Sequence, residues 1–267
     1  MTSCTCAAVG DDRPALRLRL LGGFSLSREA PGGHEPPAVP AAPARWGGCG
    51  GRTGEAVDVP ASGQQLLARL ALYGTATRSA LAGTLWPNAT EARARASLRT
   101  AMWRLNGAGP ALADVGGGVL SLGRRVRVDI QDLTAAAQQV VTGAQVRLRS
   151  AYHVLLCAGE LLPSWQQDWV SFERERLHQL RLHALEALSD RLLARREYGP
   201  ALEAALECTR VDPLRESAHR AVVSVHLAEH NLTEAIRQFE TFRGLLRGEL
   251  GVEPSGQFAA MLRHALV

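Results

Sequence analysis

The sequence predicts a mainly α protein with small β elements, in which an N-terminal domain of short strands and three helices precedes an all-α repeat domain. Three observations predict it. Helical apolar periodicity sets in near residue 61 and persists almost to the end, short alternating segments flank glycine turns, and an offset of 34 residues brings the second half into phase with itself. At 267 residues, 46% of them hydrophobic, the chain is long enough to bury two separate cores.

Residues 1–14 read as a polar, disordered tail. LRLRLLGGFSLS (residues 16–27) alternates apolar and polar positions around Gly22 and Gly23, the pattern of a strand pair or a bent strand. Residues 31–60 are crowded with Pro, Gly and Ala and read as a flexible insertion within the first domain, 15–130. SGQQLLARLALY (residues 62–73) follows as a helix with Leu66, Leu67, Leu70 and Ala71 inward and Gly74 as its stop. Thr77 is placed to cap a second helix that runs to Trp86, and Pro87 ends it.

The third helix is the most informative segment. In EARARASLRTAMWRL (residues 91–105), with Thr90 as N-cap, Ala94, Leu98, Ala101, Met102 and Leu105 recur at helical spacing. Arg95, Arg99, Thr100, Trp103 and Arg104 are left on or beside the opposite side. Such a helix docks on a core and offers guanidinium forks outward, suited to phosphate oxygens or a guanine edge. An ordinary solvated face has the same pattern. Residues 112–115 and 119–122 then form a hairpin about Gly116, Gly117 and Gly118. Strands, three helices and a hairpin make the order of a winged helix-turn-helix domain, whose third helix enters the major groove while the hairpin lies against the backbone or minor groove.

Residues 131–267 read as helical throughout. HALEALSDRLLARREYGPALEAAL, from His183, lies over SVHLAEHNLTEAIRQFE at an offset of 34, which sets Arg196 on His230, Tyr198 on Leu232, Ala201 on Ala235 and Leu202 on Ile236. That is the tetratricopeptide period, with two clear units and a possible third over residues 161–182. Trp165 and Trp169, four apart, read as core of the first repeat.

Charge is uneven along the chain. Residues 61–130 hold nine arginines against Glu91, Asp114 and Asp129, whereas residues 151–267 hold thirteen arginines against sixteen acids. Any polyanion site belongs to the first half. All 30 cationic residues are arginine, which coding bias explains better than function does. The five cysteines, at positions 4, 6, 49, 157 and 208, match no CxxC zinc pair or disulfide framework, so reduced thiols are expected. No secretory signal or run of apolar residues long enough to span a bilayer is present, so a soluble, cytoplasmic protein is expected. His219, His226 and His230 share a helix face without a carboxylate or cysteine to complete a metal set, and Asp168, Glu173 and Glu175 sit among arginines as surface ion pairs. No catalytic, cofactor or metal site is expected.

LWPNATEARARASLRTAMWRL, LLPSWQQDWVSFERERLHQLRLHALEAL and DPLRESAHRAVVSVHLAEHNLTEAIRQFETFRGLLRGELGVEPS resemble the SARP family, bacterial antibiotic-regulatory activators that join a winged-helix DNA-binding domain to a bacterial transcriptional activation domain. The resemblance covers nearly everything from Ala15 to Val267; the 31–60 insertion departs from it, since members usually have a tight turn there. It implies a sequence-specific activator of secondary-metabolite genes that binds short direct repeats in double-stranded DNA and contacts RNA polymerase. The chain resembles the small form, without a GxxxxGK[ST] phosphate loop, and ATP hydrolysis is not expected.

Base reading is assigned to Arg95, Arg99, Thr100 and Trp103, with Arg93 and Arg104 nearer phosphate. Trp103 has a second reading, as the cover of a helix junction. Thr77 and Arg78 open the second helix where free amides suit a phosphate, and Arg124, Arg125 and Arg127 beyond the uncharged wing either touch phosphates or are solvated. The helical half is expected to carry dimer contacts, with two protomers head to tail on repeats about one helical turn apart. A tetratricopeptide-type adaptor or anti-activator without operator binding is the rival reading, and a ligand-gated regulator a third.

Overall fold

The structure, a computed structural model, describes residues 16–28, 54–108, 112–143 and 148–265. The expected tail, 1–14, and residues 31–53 of the expected insertion lie outside the described residues. The chain divides into two compact units: one runs to Ile130 and takes in Leu162–Ser164, and the other holds Gln131–Leu161 and Trp165–Val267.

In the first unit β1 (Leu16–Arg19) and β2 (Ser25–Arg28) pair antiparallel, with Leu18 opposite Leu26. Leu16 and Leu18 are buried while Arg17 and Arg19 are exposed, as a period of two requires. The segment read as a structureless insertion is ordered at its end. β3 (Glu55–Ala56) adds to the free edge of β2, Val57 N–H donates to the Leu26 carbonyl at 2.8 Å, and Val59 is buried. A sheet edge recruits backbone groups whatever the side chains, so Pro- and Gly-rich composition concealed this strand.

α1 (Ala61–Tyr73) buries Leu66, Leu67, Ala68 and Leu70 and stops at Gly74, whose N–H bonds the Leu70 carbonyl. Ala71, expected inward, is only half-buried, and Ala68 takes the core position. β4 (Ala76–Thr77) leads into α2 (Arg78–Leu85), with Trp86 as the C-cap, and α3 (Glu91–Ala108) follows the Pro87 turn. β5 (Ala113–Gly116) and β6 (Val119–Leu122) form the hairpin. Gly117 and Gly118 turn it with φ of 58° and 82°, the two positive values that a tight type I′ connection demands. β6 also pairs with β4, and β7 (Val126–Val128) lies parallel to β1, giving sheet orders β3-β2-β1-β7 and β4-β6-β5.

Asp129 opens α4 (Asp129–Thr142), and its carboxylate accepts the amides of Leu20 at 3.0 Å and Leu21 at 2.9 Å. Burial raises its pKa against the pull of those bonds. The Leu20 carbonyl accepts from the Leu162 amide at 2.9 Å, which ties the end of β1 to chain more than a hundred residues away.

The second unit continues with α5 (Leu148–Cys157), α6 (Asp168–Ala194), α7 (Tyr198–Val211), α8 (Glu216–Ala228), α9 (Leu232–Leu250) and α10 (Gly256–Ala265). The helix pairs α6/α7 and α8/α9 repeat at the expected offset. Arg196 and His230 hold the left-handed turns, φ 61° and 58°, Tyr198 and Leu232 open the second helices, and Ala201 and Ala235 are fully buried. Residues 161–182 form no third pair. With no Gly or Pro to break it, α6 runs unbroken through Asp168–Ala194 and supplies the first helix of the first pair.

Trp165 and Trp169 meet edge to face at 6.3 Å but are half-buried rather than core. The core near the C-terminus is instead aromatic, with Phe242 and Phe258 fully buried beside Val223, Ala235 and Leu246. The buried Arg181 donates to the Leu155 and Leu156 carbonyls at the end of α5 and, at 2.5 Å, to Glu207 of α7. One guanidinium thus satisfies a helix end and a buried carboxylate. Cys208 is a free thiol, and burial pushes its pKa up to about 12.

Candidate nucleic-acid interface

α3 is held by its apolar stripe. Ala94, Leu98, Ala101 and Leu105 are each at most 2% exposed, and Met102 is partly buried. These positions recur every three or four residues, so the other side of the helix is committed to solvent. Arg93, Arg95, Arg99, Thr100, Trp103 and Arg104 are all exposed there.

Their local partners differ. Among the described residues Arg93, Arg99 and Arg104 have no carboxylate partner. Arg95 is engaged twice through Nη2, with Glu91 Oε1 at 2.6 Å one turn back and with Ser79 Oγ of α2 at 3.2 Å. The Thr100 hydroxyl donates to the Ala96 carbonyl at 3.2 Å, and the side chain is exposed. Trp103 is 75% exposed. It does not cover a helix junction; it borders an open recess with Pro60, Arg104 and Asn106.

The start of α2 is capped as expected, with Thr77 Oγ1 accepting from the Ala80 amide at 3.3 Å, and Arg78 is exposed beside it. Thr77 stands opposite Val119 in the β4–β6 ladder, so this helix start and the hairpin are one assembly. A two-residue strand has too few positions to show periodicity, so β4 is not legible from sequence. At the hairpin, Gly116, Gly117 and Gly118 are exposed and uncharged; beyond it Arg124 and Arg127 are exposed, while Arg125 is half-buried.

Among the described residues no three His, Cys, Asp or Glu side chains gather as a metal-holding group. His219, read from sequence as a surface or interface residue, is buried. Its Nε2 meets the Pro213 carbonyl at 2.9 Å, Gln238 Nε2 meets its Nδ1 at 2.8 Å, and its ring stacks on Phe242 at 4.2 Å. Burial lowers its pKa.

Residues 131–266 match the family described as bacterial transcriptional activator domain. The chain belongs to that family, as a SARP-type regulator. It is similar to the regulatory protein AfsR of Streptomyces coelicolor, 29% identical over 222 residues that cover 76% of this chain and 22% of AfsR. The AfsR of Streptomyces griseus is 27% identical over 201 residues, 72% of this chain and 20% of that protein. The chain therefore spans about a fifth of the length of these relatives. Among solved structures, Mycobacterium tuberculosis EmbR in complex with a low affinity phosphopeptide superposes with a TM-score of 0.66 at 18% identity, over 95% of this chain and 65% of EmbR. That likeness bears on fold: strands first, then a helical repeat-like domain.

In this SARP-type regulator the matched family residues are the helical half, and the arginine face of α3 lies outside them. Two partners of Arg95 are not assigned from sequence, Glu91 of α3 and Ser79 of α2. Glu91 had a signal, its spacing of four before Arg95. Ser79 had none, because its approach to Arg95 depends on how α2 crosses α3.

Proposed function

We propose that this SARP-type regulator binds double-stranded DNA in a sequence-specific way through α3. One observation carries the reading: a helix buried along one stripe presents four arginines, a threonine and a tryptophan on its exposed side, joined to a helix-turn-helix and a hairpin. Arg95 and Arg99, one turn apart, reach base edges; Arg99 has its whole fork for guanine O6 and N7, while Arg95, engaged at Nη2, offers single bonds from Nη1 or Nε. Thr100 and Trp103 offer a methyl group and a ring face to thymine methyl or sugar. Arg93 and Arg104 meet phosphates, and Thr77 and Arg78 place the start of α2 against the backbone. Arg124 and Arg127 extend that contact beyond the hairpin, with half-buried Arg125 contributing less.

The domain limits we propose are 15–130 for DNA binding and 131–267 for activation. Two copies sit head to tail on direct repeats about one helical turn apart upstream of promoters, with dimer contacts from the helical half. From there the activator recruits RNA polymerase to genes of a secondary-metabolite (antibiotic) cluster, in the cytoplasm and at the nucleoid. Among the described residues no helix is long and apolar enough to cross a membrane. Nothing in the proposal calls for a cofactor, metal or enzymatic step.

Selection of bound duplexes from a random library by the full chain, with Arg95→Ala/Arg99→Ala in parallel, tests the reading. Enrichment of a short tandem motif, lost in the double variant, is the expected result. Salt-sensitive binding without a motif, or no binding, would overturn it in favour of a helical-repeat adaptor.

A further inference from the structure

Glu91 is an acid on a face otherwise made of arginines. Its carboxylate is 73% exposed and Arg95 is 51% exposed, so their 2.6 Å pair adds little to the stability of the fold. An exposed carboxylate on a surface that approaches a polyanion is also unfavourable for binding. As the first residue of α3 Glu91 suits the helix dipole, and beyond that its one polar partner among the described residues is Arg95.

Arg95 is held from two sides by one nitrogen. Glu91 Oε1 lies 2.6 Å from Nη2 one helical turn back, and Ser79 Oγ accepts from the same nitrogen across the α2–α3 crossing, so Nη1 and Nε are the donors left for a further partner. Arg99, one turn on, has no such partner among the described residues and is free to swing. A base edge carries no net charge and a phosphate carries a full one. An acid 2.6 Å from a guanidinium therefore penalises the phosphate contact far more than the base contact. From this we infer that Glu91 is a positioning residue that commits Arg95 to base edges and keeps it off the phosphates, trading overall affinity for discrimination.

The inference rests on DNA reading by α3, and its test separates the two. The full chain, Glu91→Gln and Glu91→Asp are titrated on a duplex carrying the selected motif and on a random duplex of equal length, at low and moderate salt. The same pair of duplexes is then used in an Arg95→Ala background. In Glu91→Gln, random-duplex binding tightens several-fold and the ratio of motif to random affinity falls about tenfold. Glu91→Asp keeps part of the ratio, and in the Arg95→Ala background the ratio no longer responds to residue 91. Equal tightening on both duplexes would overturn the inference by making Glu91 a plain repelling charge, with DNA reading intact. Loss of discrimination that persists without Arg95 would overturn it in favour of direct base contact by Glu91. A parent chain that distinguishes no motif would remove DNA reading and this inference together. Unchanged thermal melting of Glu91→Gln shows that the effect is not a loss of fold.

Discussion

Arg99 and Arg95 are chemically identical and physically different. Arg99 stands exposed with no carboxylate partner among the described residues, whereas Arg95 is bound at Nη2 by Glu91 and Ser79. Truncation of Arg99 to alanine is expected to weaken motif binding by about 1 to 3 kcal/mol and relax preference at one or two base pairs. Titration on motif and random duplexes checks it, and equal loss on both would make Arg99 a phosphate contact. His219 makes a second prediction at this scale, on stability. The neutral ring with its proton on Nε2 satisfies both Pro213 and Gln238, and burial holds its pKa below the usual 6.5. The unfolded chain therefore takes up a proton below pH 6.5 that the folded chain resists. This contribution to stability is complete above that pH and declines as pH falls toward the folded pKa, by at most about 1.4 kcal/mol per pH unit. Urea denaturation between pH 7.5 and 5.5 should show the decline, and His219→Gln should flatten it.

Helix ends and turns bear more of the load than their sequences advertise. Thr77 caps α2 through a long 3.3 Å bond, so Thr77→Ala is expected to cost toward the lower end of about 0.5 to 2 kcal/mol in unfolding free energy. Arg196 and His230 occupy left-handed turns that strain an L side chain, and both are exposed. Glycine at either position is expected to raise stability by about 1 kcal/mol, read as an upward shift of the melting temperature. The 34-residue offset pairs these two residues through the apolar positions that follow them, and both adopt the same left-handed conformation. Elements with a strong period were legible in this way: the three N-terminal helices, the hairpin, and the repeats at Tyr198 and Leu232. β3, β4 and β7 were not, because two or three residues carry no period and their partners lie far off in sequence. The face of α3 was legible for the same reason as its core stripe. The hold on Arg95 was not, since half of it comes from another helix.

At the scale of the molecule, charge is divided along the chain, with the arginine excess over residues 61–130 and the acidic excess over residues 151–267. DNA affinity should therefore fall steeply with salt, with a log–log slope of roughly −0.9 per phosphate neutralised, and the slope should shrink by about one unit in Arg93→Ala or Arg104→Ala. Affinity unchanged between low and moderate salt would contradict a polyanion site in the first half. The N-terminal sheet has its own long-range logic. β1 pairs locally with β2, but its other edge waits for Val126–Val128, its terminal amides wait for Asp129, and the Leu20 carbonyl waits for Leu162. On the ribosome β1 emerges well before these partners and is thus among the last of the described strands to be fully bonded, and the first unit closes only after the chain has passed Ser164. Loop-closure entropy delays that sheet while α1 to α3 condense from near neighbours, so the surface bearing the arginines can form before the strand that precedes it in the gene has found its place.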